Sequence, residues 1–129
     1  DGTTILDDAY NANPTSVAAA LEVLARATGR RVFVFGDMLE LGPAGPDAHR
    51  QIGHLAQQAG VAVLVTVGPL ASLAAEEARA AGIEAIGLDT PEEAADALLP
   101  MLRPGDTVLV KASRATQLER VVGRLRSAG

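Results

Sequence analysis

Ten consecutive residues near the start of the chain carry more hydrogen-bonding groups than a loop needs in order to fold. Segment 7–16 reads Asp-Asp-Ala-Tyr-Asn-Ala-Asn-Pro-Thr-Ser and lies between a short apolar run and an alanine-rich helical pattern. This arrangement predicts a loop from a strand to a helix, and ligands of α/β sheets bind beyond the carboxyl ends of strands. The segment therefore predicts a ligand site. An ordinary polar turn stays open as the alternative, because Asn and Asp are common in turns.

A second loop with unusual composition follows another apolar run. Residues 36–43 read Gly-Asp-Met-Leu-Glu-Leu-Gly-Pro, so Asp37 and Glu40 place two carboxylates near the end of a strand. The Met and Leu side chains beside them are too apolar to be left in water. We expect part of this loop to pack against the core of the domain or against another domain. The residues alone leave open whether the loop is a site or a well-packed irregular connection.

A third loop places two cations and a hydroxyl after the last apolar run. Residues 111–114 read Lys-Ala-Ser-Arg. Lys111 and Arg114 can donate charge-assisted hydrogen bonds to a carboxylate or a phosphate, and Ser113 adds a hydroxyl. This group predicts an anion-binding corner on the same sheet edge as the first loop. The alternative is a solvated basic loop that pairs with Asp7 or Asp8.

The two histidines and several absent motifs narrow the chemistry. His49 and His54 are five residues apart on a predicted helix and share no face, so they do not form a metal-binding pair. A polar or capping role is expected for both, although His49 is close enough to the helix start to reach the second loop. The sequence has no HExxH or GxSxG motif and no GxxxxGK[ST] or GxGxxG phosphate loop. If the domain takes part in nucleotide chemistry, another domain must hold the phosphates.

The elements that position these loops alternate regularly along the chain. Short apolar runs predict strands at 3–7, 31–35, 61–67, 83–88 and 107–111. Helical patterns predict helices at 14–28, 47–59, 69–81, 90–99 and 116–127. Asn13 before Pro14 is a good helix N-cap, as is Thr90 before Pro91. The alternation predicts a three-layer, Rossmann-like α/β domain, with a mainly parallel sheet of about five strands and helices on both faces.

Composition excludes several classes of function. The 129 residues suit a single domain, and the chain has no cysteine. The formal charge of −5, one Tyr, two Phe and no Trp argue against a nucleic-acid partner. No apolar run approaches the roughly 20 residues that cross a bilayer, so no membrane partner is expected. The absence of cysteine fits a reducing cytoplasm, which is the expected location.

Together, the three loops, with His49, Gly53 and the strand at 108–111, resemble the C-terminal domain of the Mur ligases. The similarity covers essentially the whole chain in order, and it is strongest to members that add D-alanyl-D-alanine to a UDP-N-acetylmuramoyl-tripeptide. Relatives that add diaminopimelate carry an Asp-Asn-Pro-Arg motif, which is missing here. Folylpolyglutamate synthases have a shorter first loop. Both stay as alternatives, and Ala112 stands where the pattern usually has glycine.

The resemblance implies a three-domain ligase in which this chain is the third domain. The N-terminal and central ATP-binding domains would lie outside it, and the chain alone would be inactive. ATP, with Mg²⁺, would phosphorylate the terminal carboxylate of the tripeptide, and the amine of D-alanyl-D-alanine would attack the acyl phosphate. The third domain would contribute no catalytic residue and no metal ligand. Its nucleotide-binding residues would be Asp8, Tyr10, Asn11 and Asn13, and its substrate-binding residues would be Asp37, Glu40, Lys111, Ser113 and Arg114.

A free-standing receiver-like binding module is the alternative outside the ligases. Asp7, Asp8 and Lys111 resemble the acidic cluster and lysine of a receiver. A receiver also needs a phosphorylatable Asp at the end of its third strand, where this chain reads Thr66-Val67-Gly68.

Overall fold

The computed structural model describes residues 2–9 and 11–128, and in them a five-stranded sheet lies between two layers of helices. The strands are β1 (Thr4–Asp8), β2 (Arg31–Gly36), β3 (Val63–Val67), β4 (Glu84–Leu88) and β5 (Thr107–Lys111). The helices are α1 (Pro14–Ala25), α2 (Gly45–Gln58), α3 (Ala71–Ala80), α4 (Pro91–Leu98) and α5 (Glu119–Ala128), with 3₁₀ turns at Gly42–Ala44, Leu99–Met101 and Arg114–Thr116. The predicted elements and their alternation are confirmed.

Three strands begin later than predicted: β1 by one residue, and β3 and β4 for a shared reason. The prediction placed Val61 and Ile83 in strands because both belong to short apolar runs. Their backbone N–H groups instead donate to Ala56 O and Ala78 O and so close the ends of α2 and α3. An N–H group that completes a helix end cannot also donate to a neighbouring strand. α5 begins later than expected, at Glu119, because a 3₁₀ turn precedes it.

All strands are parallel, in the order β1-β5-β2-β3-β4. β5 lies between β1 and β2, so the three loops that follow these strands are neighbours at one edge of the sheet. A flavodoxin-like or receiver fold has the order 2-1-3-4-5, with its first strand inside the sheet. Here β1 is an edge strand. The receiver alternative is therefore wrong.

Side chains that alternate along the strands form two separate cores. Phe33 and Phe35 of β2 are fully buried against α1, α2 and α3, whereas Val32 and Val34 are buried on the face covered by α4 and α5. This alternation explains why the strands read as continuous apolar runs. The predicted three-layer arrangement, with helices on both faces, is confirmed.

The start of α1 is fixed by a capping box. Asn13 Oδ1 accepts a hydrogen bond from the Ser16 backbone N–H at 2.8 Å, and Ser16 Oγ accepts one from the Asn13 N–H at 3.0 Å. Pro14 occupies the first turn, where it displaces no helical hydrogen bond. The predicted N-cap is confirmed. It also fixes the point at which the first loop ends and the helix begins.

At the opposite end of the sheet, a buried carboxylate links the residues that directly precede β2 and β5. Asp106, 2% exposed, accepts from Arg30 Nε at 3.1 Å, Arg30 Nη2 at 2.8 Å and the Arg103 N–H at 2.9 Å. Burial alone would raise the pKa of Asp106, but the hydrogen bonds and charges of both arginines outweigh it and bring the pKa below its ordinary value. The ionised form therefore stabilises the fold.

This pair predicts an acid-dependent loss of stability. A lowered folded-state pKa stabilises fully above the unfolded value of about 3.9, and the contribution is lost as pH falls through the folded value. We expect Asp106→Asn to lower the free energy of unfolding by about 2–4 kcal/mol at pH 7. The deficit should shrink below pH 4 in urea titrations. Glu92→Gln, which breaks an exposed pair with Arg120, is the control and should cost under about 1 kcal/mol. A deficit of equal size at pH 7 and pH 3 would contradict this account.

Among residues 2–9 and 11–128, no helix has the length and apolar character needed to cross a bilayer.

Candidate functional site

The loops after β1, β2 and β5 enclose a cleft of about 310 Å³. It is lined by Asn11, Ala12, Leu39, Glu40, Ser113, Arg114 and Ala115. After β5 the chain passes to α5 on one face of the sheet, whereas after β1 and β2 it passes to α1 and α2 on the other. A crevice opens where neighbouring strands diverge in this way, and such crevices bind ligands. The prediction that the three loops share one sheet edge is confirmed.

A larger groove of about 490 Å³ lies between α1 and α2. Alanine, aliphatic and uncharged polar side chains line most of it, and Glu22 is its single charged group. It offers no pair of opposite charges. The smaller cleft is therefore the candidate site.

Lys111 connects the first loop to the third. Its side chain is 3% exposed, and Nζ donates to Asp8 Oδ2 at 2.7 Å and to Asn11 O at 3.0 Å. The Asp8 side chain keeps 49% of its surface exposed, so water or a ligand can also reach it. The sequence left open whether Lys111 would bind an anion or pair with an acid. In the structure it pairs with Asp8.

Of the other predicted nucleotide-site residues, two are described, and their side chains differ in how free they are to bind a ligand. Asn11 is exposed at the cleft. Asn13 is exposed too, but its side-chain oxygen is committed to the helix cap. Tyr10 lies outside the described residues.

Asp37 lies in the interior, below the cleft. It is 6% exposed, and its Oδ1 accepts from the Ala71 N–H at 2.7 Å, which caps the start of α3. Gly68 has φ +108°, and a Cβ there would lie 2.5 Å from Asp37 Oδ1. The glycine therefore makes room for the carboxylate. Asp37 does not line the cleft.

The second loop divides its side chains between the core and the cleft. Met38 is fully buried in the domain's own core, so it needs no other domain to cover it. Leu39 is 38% exposed and lines the cleft, where its N–H donates to Ser113 Oγ at 3.1 Å. Glu40 is exposed and has φ +65°, the left-handed region that costs a non-glycine residue about 1–2 kcal/mol. The surrounding contacts hold this conformation despite its cost.

Arg114 is the uncommitted cation of the site. It is exposed, lines the cleft and forms no ion pair with any described residue. Ser113 beside it is half-buried and joins the second and third loops through Leu39. Glu40 and Arg114 are thus the two charged groups among the described residues that line the cleft.

The chain's departure from the family pattern at Ala112 fits the local packing. Ala112 is fully buried, and a Cβ on Gly36 would lie 2.8 Å from its methyl group. The methyl group fits because Gly36 has no side chain of its own.

His49 has a role that the sequence indicated only as polar or capping. It is fully buried; its Nε2 accepts from the Met38 N–H at 2.8 Å, and its Nδ1 donates to Gly45 O at 2.6 Å. His54, half-exposed on the same helix, pairs with Glu77. In the part of the chain that is described, no three His, Asp or Glu residues cluster as metal ligands do.

The fold is that of a Rossmann-like α/β domain, with a candidate ligand cleft between loops at the carboxyl ends of parallel strands. The chain belongs to the Mur ligase family, because the family model described as "Mur ligase, glutamate ligase domain" matches residues 1–114. The resemblance drawn from the three loops is confirmed.

Relatives and solved structures agree with this assignment. Proteins named UDP-N-acetylmuramoyl-tripeptide–D-alanyl-D-alanine ligase from Mycobacterium tuberculosis (strain CDC 1551 / Oshkosh) and Escherichia coli (strain K12) are each 40% identical over 97% of this chain. The matches cover 29% and 27% of those proteins, so the chain spans less than a third of their length. Among solved structures, MurF from Acinetobacter baumannii superposes with a TM-score of 0.85 at 33% identity, over 98% of this chain and 29% of that one. The MurF ligase from Thermotoga maritima in complex with ADP gives 0.82 at 30% identity, over the same shares of the two chains.

Proposed function

We propose that this chain is the third domain of an ATP-dependent ligase that joins D-alanyl-D-alanine to UDP-N-acetylmuramoyl-tripeptide in peptidoglycan precursor synthesis. The observation that carries the proposal is the three-loop cleft, with one uncommitted cation, one exposed carboxylate and small apolar walls. The names of the relatives that align over nearly the whole chain support the same reaction.

The cleft suits a small zwitterion with two methyl groups. Arg114 can bind the dipeptide carboxylate through a bidentate pair of hydrogen bonds. The Ser113 hydroxyl, which accepts from the Leu39 N–H, still has its own proton to donate. Ala12, Leu39 and Ala115 offer apolar surface to the methyl groups. Glu40 lines the same cleft, and its carboxylate can pair with the dipeptide's ammonium group. The ammonium group must then lose its proton before the amine can react.

Asp37 and Lys111 act indirectly in this proposal. Asp37 is committed to the start of α3, and Lys111 is committed to Asp8 and the Asn11 carbonyl. Both fix the loops from which other side chains reach the ligand. Glu40, Ser113 and Arg114 are then the predicted polar residues that contact the dipeptide.

The nucleotide fits beside Asp8. A carboxylate accepts two hydrogen bonds without competing donors, which suits the two hydroxyls of a ribose. Lys111 holds one oxygen of Asp8, and half of the side chain remains open to a ligand. Asn11 lies next to it, the NH₂ group of Asn13 can still donate, and Tyr10 belongs to the same segment. We assign the ATP phosphates and Mg²⁺ to the central domain, since this sequence has no phosphate loop.

In this scheme the domain binds and orients, and it supplies no catalytic residue. ATP phosphorylates the terminal carboxylate of the tripeptide. The neutral amine of D-alanyl-D-alanine attacks the carbonyl carbon of the acyl phosphate, and phosphate leaves from the tetrahedral intermediate. The domain raises the reaction rate by holding the amine close to the acyl phosphate. Its closure also excludes water, which would otherwise hydrolyse the acyl phosphate. The N-terminal and central domains of the same chain complete the site, in the bacterial cytoplasm.

The proposal is tested with the full-length ligase, UDP-N-acetylmuramoyl-tripeptide, ATP and Mg²⁺. Phosphate release and product mass are measured with D-alanyl-D-alanine as the acceptor, and in separate reactions with diaminopimelate and UDP-N-acetylmuramoyl-dipeptide or with glutamate and a folate. We expect D-alanyl-D-alanine to be consumed with formation of the pentapeptide. A preference for diaminopimelate, or glutamate addition to a folate, would assign the chain to another branch of the family and overturn the proposed substrate.

A further inference from the structure

One buried side chain fixes both ends of the second loop. His49 lies on α2, and its two ring nitrogens bind the Met38 N–H near the start of the loop and Gly45 O at its end. The Met38 N–H can only donate and Gly45 O can only accept. The ring must therefore be neutral, with its proton on Nδ1. Phe35 packs against the ring, with centroids 5.7 Å apart.

Three successive backbone amides in this loop are bound by three different elements. The Asp37 N–H donates to Val67 O of β3 at 3.3 Å, the Met38 N–H to His49 of α2, and the Leu39 N–H to Ser113 after β5. Glu40 follows directly, in its left-handed conformation. An unfavourable backbone conformation persists only where its surroundings hold it in place. These three hydrogen bonds therefore explain why Glu40 keeps its left-handed conformation at the cleft.

We propose that His49 is a positioning residue that sets Leu39 and Glu40 in the cleft through the backbone, without touching the substrate. The inference rests on the proposed function, in which Leu39 and Glu40 contact the dipeptide. An apolar ring at this position would still pack against Phe35. It would leave the Met38 N–H and Gly45 O unpaired, which frees the loop from α2. His49 then acts on dipeptide binding rather than on the nucleotide side of the cleft.

The first arm of the experiment compares variants of the full-length ligase. His49→Phe keeps the ring and removes both hydrogen bonds, whereas His49→Gln keeps an amide that can accept and donate. His54→Gln is the matched control, because His54 lies on the same helix, is half-exposed and pairs with Glu77 of α3. We expect His49→Phe to raise KM for D-alanyl-D-alanine about tenfold and to leave KM for ATP within about twofold. His49→Gln should lie between His49→Phe and the wild type, and His54→Gln should match the wild type.

The second arm measures hydrogen exchange by mass spectrometry without substrates. Peptides that cover residues 37–45 should exchange faster in both His49 variants, and peptides from β5 and α5 should not. If His49→Phe does not fold, His49→Gln carries both readouts. Unchanged exchange at 37–45 would overturn the inference, as would a fall in kcat with both KM values unchanged. If the proposed function is wrong, the wild-type enzyme will not use D-alanyl-D-alanine. The exchange measurement needs no substrate, so it still tests whether His49 holds the loop.

Discussion

Arg114→Ala is expected to lower kcat/KM for D-alanyl-D-alanine in the full-length ligase by about ten- to a hundredfold. Arg114 is the uncommitted cation lining the cleft, so its loss removes a charge-assisted bond to the dipeptide carboxylate. Such a bond is worth about 1.5–3 kcal/mol, which gives this range of fold-change. The measurement is steady-state kinetics with each substrate varied in turn. KM for ATP should change much less.

Two matched variants sharpen this result. Arg114→Lys keeps the charge and loses the planar fork, so its effect should be intermediate. Arg120→Ala removes an exposed arginine on α5 that pairs with Glu92, and it should leave both KM values unchanged. If the kinetics with the dipeptide stay intact in Arg114→Ala while those with ATP collapse, the third loop belongs to the nucleotide and our placement is wrong.

Removing Asp8 is expected to affect both the nucleotide and the fold. In the full-length ligase, Asp8→Ala should raise KM for ATP more than KM for the dipeptide, because the ribose hydroxyls lose their acceptor. It also leaves the buried Lys111 ammonium with only the Asn11 carbonyl as a partner. We expect the free energy of unfolding to fall by about 2–4 kcal/mol, since an unpaired buried charge is costly.

Lys111→Met provides the contrast for Asp8. It leaves Asp8 without a partner, but that side chain is half-exposed and water can solvate it. The loss of stability should be about 1 kcal/mol or less, well below that of Asp8→Ala. Urea titration of both variants measures the difference. Equal losses of stability in the two variants would show that the burial of Lys111 does not determine the energy of the pair. An unchanged KM for ATP in Asp8→Ala would show that Asp8 is not part of the nucleotide site.

The fold was predictable because its main signals are local. Continuous apolar runs and helical periodicity identified all ten elements, and Asn13 with Pro14 marked the start of α1 correctly. The errors arose where local and tertiary signals differ. Val61 and Ile83 have the side chains of strand residues, yet their N–H groups close the preceding helices. The strand order was not predicted, because it depends on pairing between distant segments that no local pattern encodes.

The site was predictable as a set of loops but not as a set of side-chain roles. Lys111 and Arg114 are three residues apart and of similar chemistry, yet one is buried against Asp8 and the other is exposed in the cleft. Asp37 and Glu40 differ in the same way. Whether a carboxylate caps a helix 34 residues away, as Asp37 does, is decided by tertiary packing. His49 was underestimated for the same reason, because the partners of a buried imidazole cannot be read from its neighbours in the sequence.

A crystal structure of the full-length ligase with a non-hydrolysable ATP analogue and D-alanyl-D-alanine tests the central claim most directly. We predict that the three-loop cleft is closed over both ligands. The dipeptide carboxylate should lie within about 3 Å of the Arg114 guanidinium, and a ribose hydroxyl should lie at a similar distance from Asp8. A closed complex in which the dipeptide lies outside the cleft, with Arg114 in contact with another group, would contradict the account.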